Sequence, residues 1–344
     1  MPDHVYDWLV NDKLGWPAKP PAIKLDTHHH FVPKFYADAV ESAGGDPSGW
    51  ATPRWTPYSS ELMMDRLGIQ KAVISCTSPG ACVLKGQASF DLARKLNEEA
   101  AAIRDANPKK FAFFANLPDL LDQKESLAEI SFAMDKLGAD GVCLFSRYGD
   151  SHTYLGHPDL EPIWEELNRR SAVVFVHPTS PVDPGRINKV LSQPVVDYPH
   201  ETTRTAMDMI TAGTLRKFPN CKVILSHGGG TLPWLIARAA TPLRKSPEFG
   251  PSYLPGTTFD SFMADFRRFY FDLALSATTP NLNMLLEMVP HGQILYGSDF
   301  PYPPAPAHPA LLEQLEEHPM EKETRDKIYF ENAMKLIPSF AEGK

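Results

Sequence analysis

AIKLDTHHHFVP, residues 22–33, is the stretch whose reading decides the fold. Its first half is a short apolar run of the kind expected for a strand buried on both faces. An open, doubly wound sheet would place a glycine-rich turn after its first strand. Here the run ends instead in Asp26-Thr27-His28-His29-His30. Alternate side chains of an extended segment share a face. His28 and His30 can therefore look at one point while His29 looks away. Working outward, the apolar half of the pattern recurs in KAVISC (71–76), FAFFANL (111–117), GVCLFS (141–146), AVVFVH (172–177), KVILSH (222–227), FYFDLA (269–274) and QILYGSD (293–299). The pieces between them carry a helical period, as in Ser89–Asn107, Gln123–Leu137, Leu160–Arg170, Thr203–Lys217 and Pro280–Met288. Strands and helices alternating in this way predict a (β/α)8 TIM barrel with long loops at its C-terminal mouth and a small inserted segment.

The polar exceptions fall at the C-terminal ends of the expected strands: His28 and His30, then His177, His227 and Asp299. In a barrel these ends converge on one mouth. A single strand-end histidine is ordinarily a satisfied polar residue. Several elements ending in His or Asp, in order, predict a shared divalent metal site, catalytic if one coordination position stays open. His4, His152, His157, His200, His291, His308 and His318 fall in expected loops or exposed helices and are assigned to the surface.

The chain has 344 residues, enough for one barrel with insertions. Residues 1–21 read as an N-terminal arm that Trp8 and Trp16 can anchor, and 22–344 as a single barrel domain. A formal net charge of −8 argues against nucleic acid or an anionic membrane as partner. No apolar run nears the roughly 18 residues that span a bilayer. The N-terminus has no signal-peptide pattern. Cys76, Cys82, Cys143 and Cys221 form no CxxC pair. Together these features predict a cytoplasmic protein with idle thiols. The stretches 44–57, 178–199 and 242–258, rich in proline, glycine and aromatics, read as long ordered loops near the mouth.

LDTHHHFVP (25–33), VVFVHP (173–178), VILSHGGGTLPW (223–234), LYGSDFPYP (295–303) and FENAMKL (330–336) together resemble the amidohydrolase superfamily. The branch is the one containing aminocarboxymuconate semialdehyde decarboxylase and the non-oxidative aromatic-acid decarboxylases. GGDPSGW (44–50) and the loop after it look most like the fungal 6-methylsalicylate decarboxylases. The resemblance implies that His28, His30, His177 and Asp299 hold the metal, with His227 catalytic beside it. It also implies that Arg238 reaches a neighbouring subunit's site in a homodimer, and that Tyr302 contacts substrate. The lysine that bridges two metals in hydrolytic members has no counterpart beside Phe145 and Ser146, which favours one ion, zinc or else manganese. Trp50, Trp55, Phe300 and Tyr302 are candidate walls of an aryl pocket. The expected reaction is decarboxylation of a salicylate-type acid, with Asp299 donating a proton to the ring. Other carboxylates, and hydrolysis of a lactone or amide on the same scaffold, remain open at this point.

Overall fold

Each of the eight apolar segments contains a strand in the computed structural model of the chain, which describes Trp16 and residues 21–183, 185–245, 248 and 250–341. In chain order they are β1 Lys24–His30, β2 Ile69–Ser75, β3 Phe111–Asn116, β4 Gly141–Phe145, β5 Val173–His177, β6 Lys222–Leu225, β7 Tyr270–Asp272 and β8 Ile294–Leu295. They lie side by side in that order, and the paired neighbours run parallel. The segment after β8 closes the ring on β1. The Thr27 amide donates to Tyr296 O (3.0 Å), the Asp299 amide to His28 O (2.8 Å) and the His30 amide to Phe300 O (2.8 Å). The result is the expected (β/α)8 barrel.

Helices Gln87–Ala106, Gln123–Asp135, Glu161–Arg169, Gln193–Ala212, Leu232–Lys245 and Thr279–Met288 follow strands around the outside. Each turns one stripe inward. In Gln87–Ala106 the buried apolar residues Leu92, Leu96, Ala100 and Ile103 recur every three or four positions. Trp16 packs against the core. The rest of the expected arm as far as Pro20, with Trp8 and His4, lies outside the described residues.

Three expectations need correction. The loop after β5 ends at Ser192, because the helix expected from Thr203 already starts at Gln193. Pro194 stands in its first turn, where no backbone donor is needed, and Pro199 is accommodated further in. The segment 242–258 is likewise not all loop, since the helix Leu232–Lys245 continues through Pro242, and Gly250–Tyr253 is helical. His308 and His318 are buried, not on the surface. His308 sits on the inner stripe of Ala307–Glu317 beside the Phe300 ring (6.0 Å), and burial lowers its pKa to about 4.

β1 is not regular. Asp26 pairs with Ala72 and His29 with Ile74, so β1 spends one more residue than β2 over this step, a bulge. In an unbroken strand Asp26 would share the face of His28 and His30. The bulge instead puts Asp26 with His29: its carboxylate accepts from His29 Nδ1 (3.0 Å) and Ser298 Oγ (2.6 Å). At the other end of β1, Lys24 is fully buried. Its ammonium donates to Ala22 O (2.8 Å), Leu67 O (3.4 Å) and the Glu316 carboxylate (2.5 Å). Burial pulls its pKa below the usual lysine range, against the pull of Glu316.

Candidate metal centre and active site

The strand ends do converge. One ligand atom each from His28, His30, His177 and Asp299 lie within 4.8 Å of one another, and all four residues are buried. His28 Nε2 and His30 Nε2 stand 3.0 Å apart. Asp299 Oδ1 is 3.1 Å from the first and 3.0 Å from the second. The opposite ring nitrogens are all held: His28 Nδ1 by Asp272 Oδ2 (2.9 Å), His30 Nδ1 by Ser75 O (3.2 Å) and His177 Nδ1 by Pro178 O (2.8 Å). Three imidazoles fixed through Nδ1 and offering Nε2 to one point, joined by a carboxylate, form a donor set that fits a divalent transition ion.

The electrostatics suit the same occupant. Burial opposes charge on His28, but Asp272 and Asp299 outweigh it and hold its pKa up at about 10. Burial dominates for His30 and His177, with neighbouring imidazoles adding to it, and both stay neutral. Burial would raise Asp299, but His28 and hydrogen bonds from His227, His28 and His30 keep it well below the usual carboxylate range. The cluster thus favours positive charge where a cation would sit.

His227 follows β6 and turns Nε2 to Asp299 Oδ2 at 3.3 Å. Its backbone amide donates to Asp272 Oδ1 (3.1 Å). Asp272 therefore holds both a candidate ligand and the candidate catalytic histidine. His227 and Asp299 have φ of 57° and 59°, a region that non-glycine residues rarely occupy. Two such residues facing each other across one centre are characteristic of functional turns.

A cavity of about 540 Å³ opens over the centre, with His177, His227 and Asp299 in its floor. Trp50 and Tyr302 line it, as expected. Trp55 and Phe300 do not. Trp55 is buried against Phe31, its indole N–H donating to Ser60 Oγ (2.8 Å). Phe300 lies against the His29 ring. Arg238 is exposed on its helix and lines no part of its own chain's cavity. His200 is exposed at the rim, with Nδ1 3.4 Å from Thr231 Oγ1. Sequence reasoning misses Asp272, and also Asp46 and Tyr198, which line the cavity. Asp272 carries the same signal as His177, a polar residue ending an apolar strand. Asp46 and Tyr198 lie inside segments that read only as loops.

Comparison with known proteins agrees with this geometry. The amidohydrolase family model matches residues 25–338. A 6-methylsalicylic acid decarboxylase of Aspergillus aculeatus is 47% identical over 320 residues, covering 92% of this chain and 96% of the relative. One from Penicillium expansum is 45% identical over 319 residues, covering 92% and 96%. Among solved structures, a dihydroxybenzoic acid decarboxylase from Polaromonas, with bound manganese and the inhibitor 2-nitroresorcinol, shares the fold. Its TM-score is 0.76 at 21% identity, covering 94% of this chain and 98% of that one.

Proposed function

This chain belongs to the amidohydrolase family, and from that premise we propose that it is a metal-dependent, non-oxidative decarboxylase of a salicylate-type acid. The substrate we assign is 6-methylsalicylate, converted to 3-methylphenol and CO2. The observation that carries the reading is the three-histidine, one-aspartate cluster under an aromatic-walled cavity, in a chain 47% identical to a 6-methylsalicylic acid decarboxylase. His28, His30, His177 and Asp299 would hold one divalent ion. Zinc is our first assignment on the imidazole-rich donor set. Manganese is the second, favoured by its presence in the Polaromonas relative. When bound, the ion would supply a Lewis acid at the mouth, stabilising negative charge on the oxygens of a salicylate-type acid.

Asp299 is ionised before substrate arrives, so the proton it uses comes with the substrate. It takes the proton of the ortho hydroxyl and returns it to the ring carbon that bears the carboxylate. Breaking the C–C bond then sends its electron pair into the ring and releases CO2. The phenolate product takes a proton from solvent. His227, facing the same carboxylate, steadies the charge as it moves. Trp50 and Tyr302 supply flat walls for the ring.

We also assign a homodimer and a cytoplasmic location. Trp234 is 75% exposed one helical turn before Arg238. The pair shares a face, suited to burial by a second copy whose carboxylate substrate Arg238 would clamp. The four cysteines form no disulfide, and no helix among the described residues is long and apolar enough to cross a membrane.

The deciding experiment incubates metal-analysed protein with hydroxybenzoates in D2O. The expected products are CO2 and 3-methylphenol deuterated at the former carboxyl carbon. A para-hydroxybenzoate, unable to present two adjacent oxygens, stays inert. Turnover without CO2 makes the protein a hydrolase, and an undeuterated phenol removes ring protonation.

A further inference from the structure

Tyr198 lies on the helix Gln193–Ala212, in a stretch that the sequence marks only as part of a long loop near the mouth. Its ring stands edge-on to the imidazole of His177, at 6.3 Å and 89°. What brings it there is Gly230, in the turn after His227. A Cβ on Gly230 would lie 2.0 Å from Pro199 O, so only glycine lets this helix close on the mouth. Tyr198 is 5% exposed, lines the cavity, and its hydroxyl has no hydrogen-bond partner among the described residues. Ser78, Ser48 and Ser180 stand near enough to ease the upward pull of burial on its pKa, but none meets hydrogen-bond geometry with it. A buried hydroxyl without a partner is costly, and native structures rarely leave one.

The cavity around it is unbalanced in a telling way. Among the described residues lining it there is no lysine or arginine. Of the other hydroxyls on that side, Ser48 Oγ already accepts from the Trp50 amide and Ser78 Oγ is tied to Thr179 Oγ1 at 2.7 Å, so both have a partner where Tyr198 Oη has none. A buried carboxylate needs several partners; beside the ion and the second copy's Arg238 assigned above, this chain's own wall has to supply a neutral donor. We propose that Tyr198 is a substrate-binding residue whose hydroxyl donates to the carboxylate of the aromatic acid. The assignment rests on the decarboxylase reading above. The carboxylate loses its charge as CO2 forms, so this hydrogen bond holds the ground state at least as well as the transition state. Tyr198 therefore governs binding and not the chemical step.

The test is Tyr198→Phe in the metal-loaded enzyme, titrated calorimetrically with two ligands. Benzoate has the carboxylate but no ortho hydroxyl to drive turnover. Catechol has two adjacent oxygens but no carboxylate. Benzoate should weaken about 10- to 100-fold, the range for a hydrogen bond to a charged acceptor, and catechol less than about twofold. KM for the acid should rise by a factor like that of benzoate, with kcat unchanged or somewhat raised. Metal content should stay the same. The ligand-free variant should melt no lower than the wild type, since the oxygen removed has no partner to lose; a lower melting point would mean a structural role. Equal losses for both ligands, no loss for either, or a fall in kcat at constant KM overturns the assignment. If the wild-type holoenzyme binds neither benzoate nor salicylates, the decarboxylase reading falls and takes this inference with it.

Discussion

The two ends of β1 bury charge in opposite ways. At its start, Lys24 has three donors and three acceptors around it, and every one is supplied by the chain. At its finish, His28 and His30 crowd their nitrogens together with Asp299. The cavity above has polar atoms without a hydrogen-bond partner among the described residues, at His227 Nδ1, Tyr198 Oη and Ser276 Oγ. A closed set of partners serves stability. A set left open needs something from outside the chain to complete it. One strand thus separates the barrel's structural end from its chemical end, as the fold generally does.

The largest effect expected from this contrast is at the open end. His28→Ala removes one donor and leaves Asp272 with a lost partner, so metal and turnover should both disappear while the barrel stays folded. Elemental analysis and far-UV circular dichroism check this, and a variant that keeps stoichiometric metal breaks the assignment. His227→Asn sharpens it. If His227 acts beside the ion, metal content holds and kcat falls about 100- to 1,000-fold. Loss of metal would make His227 a ligand instead.

A smaller effect is expected one step behind the ligands. Asp272→Asn keeps the shape of the group that holds His28 Nδ1 and the His227 amide but removes its charge. Metal affinity should fall about 10- to 100-fold, read by chelator competition, with turnover recovering at high metal. Unchanged affinity would mean that Asp272 serves only the backbone turn.

The same contrast governs how much of the barrel is legible in the amino-acid sequence. β1 and the ends of β5, β6 and β8 are legible because apolar runs stop abruptly at His28, His30, His177, His227 and Asp299. The partner of His28 is not, although Asp272 ends its strand in the same manner. One carboxylate after FYF looks like an ordinary strand terminus. The side taken by Asp26 is not readable at all, since strict alternation puts it with His28 and only the β1 bulge turns it to His29. Trp55 and Phe300 fail as cavity walls for a related reason. Composition says that an aromatic is near the mouth, but not whether its ring faces the cavity or the core. Tyr198 stays hidden because prolines at 194 and 199 imitate a loop, although the first sits where a helix tolerates it.

The smallest effect belongs to the closed end, and it should leave chemistry untouched. Glu316→Gln keeps an oxygen near Lys24 but takes away the counter-charge that favours its protonated form. The Glu316 side chain is 28% exposed, which screens the pair, so the loss should be about 1–2 kcal/mol, below the range for a wholly buried ion pair. The pH dependence fixes the cause. Lys24 is held below its ordinary value of 10.5 in the folded chain. Between its folded value and 10.5 the unfolded chain binds the extra proton, so its contribution makes stability rise with pH across that window. The variant lowers the folded value further, so its deficit against the wild type should be greatest near neutral pH and shrink as pH rises through the window. Urea unfolding at pH 7 and pH 9.5 measures it, with kcat and metal content as controls. A deficit that does not change with pH would trace the loss to packing and not to the buried ammonium, and a fall in kcat would show that the two ends of the barrel are coupled.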